Sequence, residues 1–221
     1  MGEITRTKQQ SGVHGEGNPH YLLDPIEGIR SGSEILTRLN ALLPEKKVEM
    51  GRNYDMFRQE LSEALMGKEL AQRHGIIEVA DHFMNGNLKL FLEEQKHGIP
   101  LGGWLGSLSQ YRGSVVVGDH DLWPYLARRI GLSVLGYFEP EPGITPTMKH
   151  LSLLIDDMAT NNASIIFSAP FFDKRHAKFI SDKTSAKVLP MCHQTGARPQ
   201  SASYFNMVKH NMVTVIQALS K

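Results

Sequence analysis

From Ser114 onward the chain repeats one alternation four times, and no other feature restricts its fold as tightly. The runs "SVVVGD", "LSVLGYFE", "ASIIFSAP" and "AKVLPMC" are short, apolar and rich in strand formers, the pattern of strands covered on both faces. Between them lie stretches of helical period: residues 121–130, a set marked by Met148, Leu151, Leu154, Ile155 and Met158, and residues 173–183. A final helix carries Phe205, Val208, Met212, Val215, Ile216 and Leu219. Strands alternating with helices, with no polar face to spare, predict an α/β lobe over 114–221 built on a four-stranded parallel sheet flanked by helices.

The first half follows a different rule. "EILTRLNALL" sets Ile35, Leu36, Leu39, Leu42 and Leu43 at helical spacing, and "YDMFRQELSEALMG" sets Tyr54, Phe57, Leu61, Ala64 and Leu65 on one helix face. Residues 69–96 predict two shorter helices broken near Gly75 and Asn85-Gly86, and the glycine-rich "GIPLGGWLGSLSQYRG" predicts a turn, a short helix and a second turn. Nothing here alternates with the period of a strand, so this half is expected to be mostly helical.

Charge narrows the function classes. With 24 basic and 23 acidic residues the formal net charge is +1, which argues against a nucleic-acid footprint. No apolar run approaches the roughly 20 residues that cross a bilayer. The opening "MGEITRTKQQSG" has no apolar core of the kind a secretory signal needs. A single cysteine, Cys192, excludes an internal disulfide.

Ligands of a parallel sheet bind beyond the carboxyl ends of its strands, so the residues just after each strand are the ones to inspect. The first expected strand ends in Asp119-His120, the second in Glu139, the third in Ser168-Ala169-Pro170 and the fourth in Cys192-His193. Two histidines thus leave the same sheet edge. A third, His20, sits in "VHGEGNPHYLLDP", behind Asn18-Pro19 and ahead of Asp24-Pro25. Three neutral imidazoles suit zinc at about 2.0–2.1 Å, with a carboxylate or water in the fourth position. The spacings exclude a local zinc finger, so such a site would be assembled by tertiary structure. A histidine at a strand end also serves as a surface residue or a backbone partner, and position alone leaves both readings open. His14 is a candidate accessory ligand, and Cys192 reads more readily as a small buried residue than as a thiolate. His74, His82, His97, His150, His176 and His210 lie among polar neighbours and read as solvated.

Longer stretches resemble a known family. "GNPHYLLDP" is similar to the NPHYWLDP-type segment of the zinc/manganese substrate-binding proteins of ABC transporters. "YRGSVVVGDHDLWPYLARRIGL" with "EPEPGI", then "IIFSAPFFDKRHAKFISDKTSAKVL" and "YFNMVKHNM", follow that family in order and spacing from about Val13 to the end. The resemblance implies metal ligands at His20 and His120. It implies a third ligand within "LPMCHQTGARP", where counting back from Tyr204-Phe205 selects His193. It further implies Zn2+ or Mn2+ as the bound ion, an ABC permease in the membrane as partner, an extracytoplasmic location and no enzymatic chemistry. Glu139 and Asp119 become candidates for orienting the imidazoles, with His14 and Cys192 as accessory positions. Residues 1–48 then correspond to a remnant of the family's N-terminal lobe including the NPH segment, 49–113 to a helical linker region, and 114–221 to the C-terminal lobe. Most of the N-terminal lobe has no counterpart in this chain.

Departures keep two other readings in play. The family's Glu-Pro after the third strand is Ala169-Pro170 here, which removes a carboxylate, and "LLDP" lacks the family's tryptophan. A metal-dependent hydrolase would use the same histidines with Asp119 or Glu139 as base, although neither an HExxH helix nor a nucleophile elbow is present. A scaffold that has lost half its cleft and binds nothing is the third reading.

Overall fold

Asp24 decides where the first long helix begins. Its Oδ1 accepts the Ile26 N–H at 2.9 Å, and Pro25 fills the first helical position, where a missing N–H costs nothing. The computed structural model describes residues 17–95, 98–139 and 144–220. The chain divides into two compact units, one running from Asp24 to Gln110 and the other combining the residues up to Leu23 with those from Tyr111 onward. This division differs from the sequence-based one. Residue 48 lies within the second helix, and the Asn18–His20 segment clusters with the sheet.

The first of these units is helical: α1 (Pro25–Leu42), α2 (Lys47–Met66), α3 (Lys68–Ala71), α4 (Ile76–Asn85), α5 (Leu88–Glu94) and α6 (Gly103–Leu108). On α1 the buried residues are those of the first turn and a half, from Pro25 to Ile29. Ile35, Leu42 and Leu43 are exposed, so the spacing in "EILTRLNALL" marks a helix but not a core-facing stripe. On α2 the expected face holds, with Leu61 and Leu65 fully buried and the Tyr54 hydroxyl donating to the Ile29 carbonyl at 3.2 Å. Gly103 allows α6 to approach α2, because a Cβ there would stand 2.5 Å from the Ala64 carbonyl oxygen.

The second unit holds all four expected strands, β1 (Val115–Gly118), β2 (Ser133–Tyr137), β3 (Ile165–Ser168) and β4 (Lys187–Pro190), parallel throughout in the order β2-β1-β3-β4. Its helices are α7 (Pro124–Arg129), α8 (Met148–Thr160), α9 (Lys174–Thr184) and α10 (Tyr204–Leu219). Side chains alternate along each strand. Val117 and Ile166 point to the core formed with Leu151, Leu154 and Met158 of α8 and Ala177 and Ile180 of α9. On the opposite side Phe167 meets the Trp123 ring edge-on at 5.8 Å between centroids. Gly118 shares that side, and a Cβ on it would lie 2.6 Å from the Trp123 ring. No described helix is long and apolar enough to cross a membrane.

Candidate metal site

From β1 the chain runs outward to β2 and then returns past β1 to β3. Connections diverge at such a reversal and leave a crevice beyond the carboxyl ends of the two strands. Asp119 and His120 follow β1 there, and Ala169 follows β3.

Asp119 has no exposed surface, and its carboxylate takes three N–H donors. The Ala169 amide donates to Oδ2. The His120 amide (2.9 Å) and Trp123 Nε1 (2.8 Å) donate to Oδ1. One side chain therefore ties the end of β1 to the end of β3 and to the start of α7. Burial pushes its carboxyl up to about 7, against the donors, which favour the charged form.

His120 is buried, with Nδ1 3.0 Å from the Glu139 carbonyl oxygen. A carbonyl only accepts, so Nδ1 carries the proton and a neutral ring keeps its lone pair on Nε2. That is the tautomer of a histidine that ligates through Nε2. The acceptor that Glu139 offers the imidazole is thus its backbone carbonyl. The carboxylate is engaged elsewhere, with Oε1 2.9 Å from His176 Nδ1.

His20 opens a short 3₁₀ turn, His20–Leu23. Its N–H donates to Asn18 Oδ1 at 2.9 Å, while Asn18 Nδ2 donates to the Asp121 carbonyl at 2.8 Å. A single buried amide side chain therefore fastens the His20 segment to the residue after His120.

His193 follows β4 and is half-buried. Its Nδ1 is buried without a hydrogen-bond partner. Burial, and secondarily the nearby Arg198 guanidinium, push its pKa below the usual histidine value and favour the neutral ring. The Phe171 ring meets it edge-on at 4.5 Å and lies tilted against Phe172 at 4.2 Å, and Phe172 lies 6.0 Å from the His120 ring. Cys192 is fully buried, and burial pushes its thiol up, so it stays a thiol; Asn211 pairs with both its backbone N–H and its carbonyl. His14 lies outside the described residues.

The structure therefore brings His20, His120 and His193 into one unit, with Asn18 linking the first two segments and two phenylalanine rings running between the last two. It does not close them on a point: among the described residues, no three His, Cys, Asp or Glu side chains form a group that could hold a metal ion.

Sequence reasoning missed several working histidines. His176 engages Glu139, His150 Nε2 lies 2.8 Å from the Tyr137 carbonyl, and His210 Nε2 lies 2.7 Å from the Pro190 carbonyl. His74 and His82 both contact the Phe91 ring. His97 lies outside the described residues. The signal was available for two of them: His176 stands four residues before buried Ile180, and His150 four before buried Leu154, so both lie on inward helix faces.

The family model for the periplasmic zinc-uptake complex component A matches residues 105–218. The high-affinity zinc uptake system protein ZnuA of Haemophilus ducreyi is 23% identical over 169 residues, which is 76% of this chain and 43% of that protein. The chain thus spans less than half the length of that curated relative. A mutant of the laminin-binding adhesin Lmb of Streptococcus agalactiae superposes with a TM-score of 0.65 at 18% identity, over 97% of this chain and 67% of the adhesin. The substrate-binding protein FpvC of Pseudomonas aeruginosa, solved with Mn2+, gives 0.60 at 20% identity over 95% and 65%. A Zn(II)-bound mutant of AdcAII from Streptococcus pneumoniae gives 0.59 at 18% identity over 92% and 62%.

Proposed function

The chain belongs to the zinc-uptake complex component A family, and from that premise we propose that it binds zinc reversibly outside the cytoplasm and delivers it to the membrane permease of an ABC-type uptake system. The ligands are His20, His120 and His193, each through a ring nitrogen. Its family consists of transporter solute-binding proteins rather than enzymes, and the residues at the sheet edge suit capture without chemistry. Both strand-end carboxylates are committed, Asp119 to three N–H donors and Glu139 to His176, so neither is offered as the base a hydrolase would need.

One observation carries the reading. Two imidazoles at the carboxyl edge of the same sheet offer lone pairs: His120 has its Nε2 set as an acceptor by the bond at Nδ1, and His193 holds a buried Nδ1 with no partner. An unsatisfied buried nitrogen costs about 1–3 kcal/mol, which a bound cation would recover. Asn18 secures the His20 loop to the strand that carries His120. An all-nitrogen donor set favours zinc over manganese, which takes more carboxylate oxygen.

The test is calorimetric titration with zinc and with manganese, preceded by elemental analysis of protein purified without added metal. Zinc is expected to bind more tightly than manganese, and His120→Ala to weaken zinc by about 100-fold or more, at or beyond the 10–100-fold lost with an orienting partner. Equal zinc affinity in wild type and His120→Ala overturns the ligand assignment.

A further inference from the structure

His176 is the least expected polar residue near the sheet edge. It sits in the first turn of α9, and its Nδ1 lies 2.9 Å from Glu139 Oε1. The two side chains are 16% and 7% exposed, so both work with little help from water. Glu139 then meets the two residues that follow β1 through its backbone. Its N–H donates to the Asp119 carbonyl at 2.8 Å, and its own carbonyl lies 3.0 Å from His120 Nδ1. The order of contact is therefore α9 side chain, carboxylate and backbone of the residue after β2, and imidazole after β1.

We propose that His176 is a positioning residue for His120: by pairing the Glu139 carboxylate inside the protein it fixes the carbonyl that selects the Nδ1–H tautomer and ring orientation of His120. The physical reason is the cost of an unpaired buried carboxylate. Without His176 the Glu139 side chain has to turn toward water, and rotation of that residue moves the carbonyl on which His120 leans. The His120 proton then exchanges between the two ring nitrogens, and a fraction of molecules present N–H where a lone pair is needed. This rests on the ligand role proposed above for His120, but its first consequence, the His120 tautomer, is readable without any metal.

Two variants test it. His176→Ala removes the donor, whereas His176→Asn restores one, because its amide nitrogen lies the same number of bonds from the backbone as Nδ1. The 15N shifts of the His120 ring, recorded on the whole protein with chelator present, report the tautomer directly. The wild type is expected to show one nitrogen protonated, His176→Ala a shift toward the averaged pair, and His176→Asn a return to the wild-type pattern. Zinc affinity should follow, falling about 10–100-fold in His176→Ala and recovering in His176→Asn. An unchanged His120 tautomer in His176→Ala overturns the proposal whether or not zinc binds. A changed tautomer in a protein whose wild type takes no zinc upholds the positioning role and sinks only the transport reading. Should His176→Ala fail to fold, His176→Phe, which keeps a ring but removes the donor, takes its place: an averaged pair of His120 ring nitrogens supports the proposal, and a wild-type spectrum overturns it.

Discussion

The two units solve the problem of burying a backbone in opposite ways. In the helical unit the hydrogen bonds close within each helix, and the described interior is almost wholly apolar; only Asp24, Glu27 and Ser62 are buried polar side chains. In the sheet unit the buried polar set is larger and gathers at strand ends, with Asn18, Asp119, His120, Asp121, Glu139, Ser168 and Asn211 among its members. Strands of four or five residues finish inside the protein, and the amides and carbonyls just past each end need partners that the ladder no longer supplies. Asp119 provides that for β1 and β3, and Asn211 for the segment after β4. The lesson is that side chains recruited to close a sheet edge are also the ones positioned to meet a ligand there.

If that contrast is right, a polar tie in the sheet unit should outweigh a large apolar side chain in the helical one. Asn211→Leu strands a buried N–H and a buried carbonyl together and should cost about 4 kcal/mol, measured by chemical denaturation. Leu65→Ala, at a fully buried position of α2, should cost about 3 kcal/mol. A larger loss for Leu65→Ala would break the comparison. Gly118→Ala should cost about 2 kcal/mol by forcing a buried Trp123 aside; loss of the indole N–H resonance position that marks its bond to Asp119 would sharpen it, because an apolar clash would then have acted through a polar tie. The smallest effect belongs to Asp173, the exposed cap of α9, which accepts the Arg175 N–H and meets its guanidinium. Those bonds hold its carboxyl down at about 2, so its contribution is present above the unfolded value near 4 and lost as pH falls through about 2. Asp173→Ala should lower the thermal midpoint slightly at pH 6 and by much less at pH 2, where the native carboxyl is already half protonated.

The sheet was legible in the sequence because its strands announce themselves as apolar runs and the helices between them keep a clean period, although only the central β1 and β3 are covered on both faces while the edge strands β2 and β4 are largely half-buried or exposed. The candidate ligands His120 and His193 were legible for the same reason: they fall immediately after such runs. The buried part of the first helix was not. Its leucines at 36, 39, 42 and 43 carry the right spacing, yet the buried residues are Pro25 to Ile29, and amphipathic spacing alone does not say which part of a helix finds something to pack against. Glu139 shows another limit. Its sequence position pointed to an orienting role, but which of its two acceptors performs it, carboxylate or carbonyl, depends on the angle at which the chain leaves β2. His176 was hidden by its lysine and arginine neighbours, although the period of Ala177 and Ile180 placed it facing inward.

Arg198 gives the sheet edge one further property. Its guanidinium rests against the carbonyls of Met191 and Ser168 at 3.2 and 3.4 Å, fixed close enough to His193 to bias that ring toward neutrality. A permanent positive charge so near a prospective cation seat opposes long residence. For the zinc carrier proposed above this is an asset, since cargo gripped too hard is never surrendered.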